Sequence, residues 1–205
     1  MKPILFNTEM VRVIMEGRKT VTRRVVMPKH LRVLDSHYHK EHPEVPDKTL
    51  LEKLCLPPYQ PGDILWVRET WCKAHGHYLY RAFPGIGMEP ERQDAAMREM
   101  GLKWHPSIHM PKEAARLFLR VTDVRVERLQ DIDDDGAKAE GANYQDGKNV
   151  GWEEKMRRTA IDRFAEIWDN TIKLADLTLY GWEANPWVWV IEFERISKDE
   201  ALGGG

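Results

Sequence analysis

The chain has 205 residues, 42% of them hydrophobic and 31% charged, with a formal net charge of −2. That length suits one domain with decoration, and the balanced charge excludes a strongly basic nucleic-acid binder while leaving room for a local basic patch. Cys55 and Cys72 form no paired motif, MKPILFNTEM lacks the apolar core of a signal peptide, and no apolar run approaches the roughly 20 residues that span a bilayer. The expectation is a soluble cytoplasmic protein with no disulfide framework and no membrane partner.

In chain order, ILF at 4–6 predicts a short strand. Residues 8–16 predict a helix capped by Thr8, with Met10, Val11, Ile14 and Met15 on one face and Gly17 just past its end. TVTRRVV at 20–26 is rich in β-branched residues and predicts a strand. The proline-rich 28–60 reads as a surface insertion with a short helix near 48–54. PGD at 61–63 is a turn, ILWVRETW at 64–71 a strand, and YLYRA at 78–82 its partner. A second insertion covers 84–103, with a helix over 90–100. RLFLRVTDVRVERL at 116–129 is a long strand or a pair. DIDDDGAKAEGA at 131–142 predicts a short helix capped by Asp133 and stopped by Gly141. The stretch 151–170 gives the clearest helix, with Met156, Ala160, Phe164, Ile167 and Trp168 on one face. NPWVWVIEFERI at 185–196 is a final strand, and 197–205 reads as a flexible tail. Strands at both ends with a few helices between them predict an α+β fold, a small mostly antiparallel β-barrel with helices packed on it.

The densest chemistry is EGRKTVTRR at 16–24. Arg18, Lys19, Arg23 and Arg24 surround Thr20 and Thr22. Basic residues on a strand commonly guard its edge, but their density behind a glycine favours a cluster that holds phosphate. A lysine crowded by arginines also loses its proton more easily, which makes it a candidate base beside a threonine nucleophile. Glu140 falls in the last helical turn before Gly141. The helix dipole disfavours a carboxylate there by about 0.3–1 kcal/mol. Solvation makes that harmless, and burial would make the group a proton carrier.

In RETW at 68–71, neighbouring side chains alternate faces. Arg68, Glu69 and Trp71 either form a salt bridge at a barrel mouth or line a base pocket with Trp71 stacking. Cys72, His75 and His77 lack a fourth zinc ligand, and the aspartates at 131–135 lack the spacing of a calcium loop. No metal and no cofactor is expected. WHPSIHMP at 104–111 is either a lid or a structural crossing.

With these residues in view, the chain resembles the ASCH family, in its phage and prophage branch, among the PUA-like barrels. The strand and helix leading into GRKTVTRR, then PGDILWVRETW, then VTDVRVERLQDI followed by AKAEGA carry the resemblance, which spans about 2–29, 60–82 and 104–195. Gly17, Lys19 and Arg23 or Arg24 supply the family's glycine–lysine–arginine signature. The resemblance implies one ASCH domain over 1–196 that binds a nucleoside, RNA or single-stranded nucleic acid. Some family members are amidohydrolases that deacylate acetylcytidine with a lysine, a threonine and a glutamate. By position these are Lys19, Thr22 and Glu140, with Arg23, Arg24, Arg68, Glu69 and Trp71 as substrate contacts. The alternatives within the family are a non-catalytic RNA reader and a ribonuclease. Lys19 and Thr22 are three apart, so they would face opposite sides of a regular strand. The reading therefore requires Lys19 to sit in the turn after Gly17, or a bulge to re-aim it.

Overall fold

The computed structural model describes residues 1–82, 90–142 and 158–203. In chain order the elements begin with β1 (Lys2–Leu5), α1 (Thr8–Met15), β2 (Val21–Val25), α2 (Pro28–Leu31), α3 (His37–Glu41) and α4 (Asp47–Leu54). Next are β3 (Ile64–Arg68), β4 (Trp71–Ala74), β5 (His77–Tyr80), α5 (Pro90–Glu99) and β6 (Phe118–Arg128). They end with α6 (Asp134–Ala139), α7 (Ala160–Thr171), α8 (Leu177–Tyr180), β7 (Trp187–Ile196) and α9 (Lys198–Leu202). The chain divides into two compact units. The first comprises Met1–Arg18, Gly62–Arg120 and Glu194–Gly205, and the second Lys19–Pro61 and Val121–Phe193.

In the first unit, β1 pairs parallel with β3 (Lys2 opposite Leu65), and β3 pairs antiparallel with the start of β6 (Trp66 opposite Phe118). The apolar core holds Trp66, Met110, Ala114, Ala115, Phe118, Ile196 and Ala201. Helix α1 is capped by Asn7, whose side chain accepts from Met10 N at 2.8 Å, and not by Thr8. Asn7 has the extended backbone that a cap needs, while Thr8 is already helical. Gly17, at φ 74°, and Arg18 close the helix, with Arg18 N–H reaching back to Val13 O.

The single strand expected over 64–71 is two. β3 stops at Arg68 and β4 starts at Trp71, and it is β4 that pairs with β5 (Trp71 opposite Tyr80). The break follows from Glu69, which is 0% exposed and gives both oxygens to Arg116 at 2.9 Å, while its N–H points to Met110 sulfur. That N–H is turned to sulfur rather than to a neighbouring strand, so the run is interrupted there. The segment expected as a tail carries α9, with a Ser197–Glu200 capping box and Ala201 buried.

In the second unit, β2 pairs antiparallel with β7 from Val21 opposite Glu192 to Val25 opposite Val188, and β7 has β6 as its other neighbour. Val21, Leu129, Ile132, Ala137, Phe164, Trp168, Val188 and Val190 form its core. Helix α7 buries Ala160, Phe164 and Trp168, four residues apart on one face as its periodicity predicts. It starts at a Thr159–Asp162 capping box. The earlier start at 151, and Met156, lie outside the described residues. The 28–60 segment is more helical than expected. It contains α2, α3 and α4, and the last of these buries Leu50 and Leu51.

The architecture is α+β with a mixed sheet. Among the described residues no ladder closes the strands into a barrel, and no helix is long and apolar enough to cross a membrane.

Candidate functional site

Within the second unit, residues 18–20 precede β2 without regular structure. Two backbone bonds fix this connector: Thr20 N–H donates to Ala139 O, and Phe193 N–H donates to Thr20 O, both at 2.9 Å. Lys19 is therefore held beside the C-terminal end of α6. It sits in the turn after Gly17, the first of the two arrangements that the spacing allowed.

Helix α6 is short because both its ends are specified. Asp133 Oδ1 accepts from Gly136 N at 2.7 Å. Gly141 stops the helix at φ 87°, and Ala142 N–H reaches back to Ala137 O. Glu140 is the residue between helix and stop. It is only 6% exposed, so the solvated reading of this carboxylate does not hold. Instead Lys19 Nζ donates to Glu140 Oε2 at 2.5 Å, to the Glu140 carbonyl at 2.9 Å and to the Val21 carbonyl at 2.8 Å. Arg23 Nη1 donates to the other carboxylate oxygen, Oε1, at 3.3 Å. Two cations thus offset the unfavourable helix-end dipole. Burial pushes the Lys19 ammonium below its ordinary value. The carboxylate of Glu140 opposes that shift, and the nearby Arg24 and Arg23 charges add to it.

Thr22 is buried on β2, and its Oγ1 accepts from Arg24 Nη1 at 2.8 Å. An accepted bond leaves the hydroxyl proton available for donation, and a guanidinium on the oxygen favours the alkoxide. The structure thus brings Lys19, Thr22, Glu140, Arg23 and Arg24 into one unit, with Glu140 meeting Lys19 and Arg23 directly.

Two further participants escaped the sequence reading. Glu127 Oε2 lies 3.7 Å from Arg23 Nη2, and the Phe164 ring lies 5.7 Å from the Arg23 guanidinium carbon. The charges of VRVERL look like a solvent-facing strand, which hid Glu127. The apolar periodicity of α7 had already assigned Phe164 to core.

The other three expected contacts lie in the first unit, each with a partner there. Arg68 donates to Ile108 O and sits over Trp66 at 5.4 Å. Glu69 is paired with Arg116. Trp71 packs against Tyr78 and His105, with centroids 5.7 and 4.9 Å away. The last contact ties WHPSIHMP to β4, and Trp71 and His105 also exchange backbone bonds. Among the described residues no group of three or more His, Cys, Asp or Glu side chains could hold a metal.

No family model and no curated protein matches the chain. A similar solved structure is the crystal structure of protein EF3133 from Enterococcus faecalis V583, family-model DUF984. It is 13% identical over 96% of this chain and 82% of that one, with a TM-score of 0.42. At that score the likeness bears on neither family nor function.

Proposed function

We propose that this is an ASCH protein of PUA-like ancestry whose second unit binds a nucleoside with an acylated exocyclic amine, of the cytidine type, and hydrolyses the acyl bond. One observation carries the reading. Lys19 and Glu140, 121 residues apart in sequence, form a buried pair at 2.5 Å in the same unit as Thr22.

A single proton shift within that pair turns ammonium and carboxylate into amine and carboxylic acid. Burial narrows the gap between the two forms, because it penalises charge. The neutral amine of Lys19 then takes the Thr22 proton. Thr22 Oγ attacks the acyl carbon, the carbon–nitrogen bond breaks, and Glu140 gives its proton to the leaving nitrogen. Lysine is again ammonium and glutamate again carboxylate, so the charges close. Water next adds to the acyl-threonine through the same pair, releasing the acid and restoring the hydroxyl. Arg24 steadies the threonine oxygen as charge develops on it. The trio is at most 6% exposed, so substrate access requires the surrounding side chains to part, and the chemistry then runs away from bulk water.

Thr22→Val and Thr22→Ser test the reading by liquid chromatography of acetylcytidine incubations. The valine variant is expected to lose turnover by at least about a hundredfold, and the serine variant to keep a measurable part. Undiminished turnover in folded Thr22→Val removes the threonine from the mechanism. Absent turnover in the wild type, with salt-sensitive RNA binding, makes the protein a reader; shortened RNA makes it a ribonuclease.

A further inference from the structure

We infer that Arg23 is a positioning residue: it holds one oxygen of Glu140 so that the other stays on Lys19, and Glu127 is the counter-ion that holds Arg23. The chemical consequence rests on the function proposed above; the geometry does not.

The expectation for Arg23 was a substrate contact. A substrate contact on a basic cleft presents its guanidinium outward, but Arg23 is 4% exposed and boxed in on every side that the second unit supplies. Its backbone lies opposite Val190 in the β2–β7 ladder. Its Nη1 faces Glu140 Oε1 at 3.3 Å and its Nη2 faces Glu127 Oε2 at 3.7 Å. The Phe164 ring covers the plane at 5.7 Å.

Helix α6 closes the fourth side. A Cβ at Gly136 would come within 3.4 Å of Arg23 Nη2 and 2.9 Å of Asp133 Oδ1. A glycine there lets the helix backbone run close past the guanidinium. Arg23 Nε has no partner among the described residues, so the two terminal nitrogens, through two carboxylates, set the orientation. Glu127 is fixed in turn by Arg125 Nε at 2.6 Å, and Arg125 also bonds Glu192. The chain Glu192–Arg125–Glu127–Arg23–Glu140–Lys19 therefore runs from β7 through β6 and β2 to the proposed proton pair.

A lysine in place of Arg23 keeps the charge but offers one point of attachment instead of a fork. A purely space-filling arginine would tolerate that change, and a substrate-binding one would show it in KM. The test uses Arg23→Gln, Arg23→Lys and Glu127→Gln in two assays. In acetylcytidine kinetics, Arg23→Gln is expected to lower kcat by about a hundredfold, the scale of a misplaced catalytic group, with KM little changed. Arg23→Lys recovers part of the loss, and Glu127→Gln, which keeps both Arg23 and Glu140, moves kcat the same way by less. A raised KM with kcat intact overturns the inference and makes Arg23 a substrate contact.

The second assay needs no turnover. The Lys19 ammonium is buried and hydrogen-bonded, so a proton–nitrogen correlation spectrum is expected to show it protected from exchange. Arg23→Gln should weaken or shift that signal, and Glu127→Gln should shift it less. An unchanged Lys19 signal in folded Arg23→Gln overturns the inference. If Arg23→Gln does not fold, an unchanged signal in Glu127→Gln overturns it instead. A signal that responds as expected in a protein without turnover sinks the hydrolase reading and leaves the positioning role standing.

Discussion

Glu140→Gln is expected to lower the free energy of unfolding by about 3–5 kcal/mol, the cost of removing one partner from a buried ion pair. The side chains of Lys19 and Glu140 are 2% and 7% exposed, so neither charge that remains can turn to water. Glutamine offers an oxygen to Lys19 or to Arg23 but no negative charge to either. The loss is thus mostly the penalty of two stranded cations, and it overstates what the intact pair contributes. Lys19→Met combined with Glu140→Met tests that distinction. It removes both charges and keeps the volume, so it should recover most of the loss. Recovery stays short of complete because Arg23 keeps only Glu127. Urea unfolding followed by tryptophan fluorescence gives both numbers. A loss under about 1 kcal/mol for Glu140→Gln would place the pair among ordinary solvated bridges and deprive the site of its low-dielectric setting.

Phe164→Ala is the other large loss, about 3–5 kcal/mol. Phe164 is 3% exposed in the core of the second unit. Its ring meets Trp168 at 6.0 Å and Trp182 edge-on at 6.1 Å. Each such pair adds about 0.5–1.5 kcal/mol beyond its buried area. The same ring is the floor under Arg23. Phe164→Leu keeps much of the volume and should cost clearly less, separating cavity formation from loss of the aromatic contacts. Equal losses for alanine and leucine would show that the ring contacts, rather than the filled volume, carry the stabilisation.

Long periodic elements were legible before the structure: α1, α7, β6 and β7 lie where the apolar spacing puts them. So were the backbone devices that depend on one residue, such as Gly17 at φ 74°, Gly141 at φ 87° and the Asp133 cap. Features set by distant partners were not. The break between β3 and β4 depends on Arg116, 47 residues beyond Glu69, and the parallel pairing of Lys2 with Leu65 bridges most of the first unit.

In 28–60 the prolines were read as breakers. Pro28 instead opens a helix and Pro46 precedes one, positions where the missing N–H and fixed φ do no harm. Family resemblance nominated the Lys19–Glu140 pair, which spacing alone could not have found. Arg125, Glu127 and Glu192, the supports behind it, carry no signal that separates them from an ordinary charged strand face.

Central to the account is that the Lys19–Glu140 pair performs acyl transfer from a nucleoside. The most direct measurement is liquid chromatography of acetylcytidine after incubation with the folded wild type and with folded Lys19→Met. The account predicts conversion to cytidine by the wild type and a loss of about a hundredfold or more in the variant. No conversion by the wild type, or equal conversion by both, would contradict it.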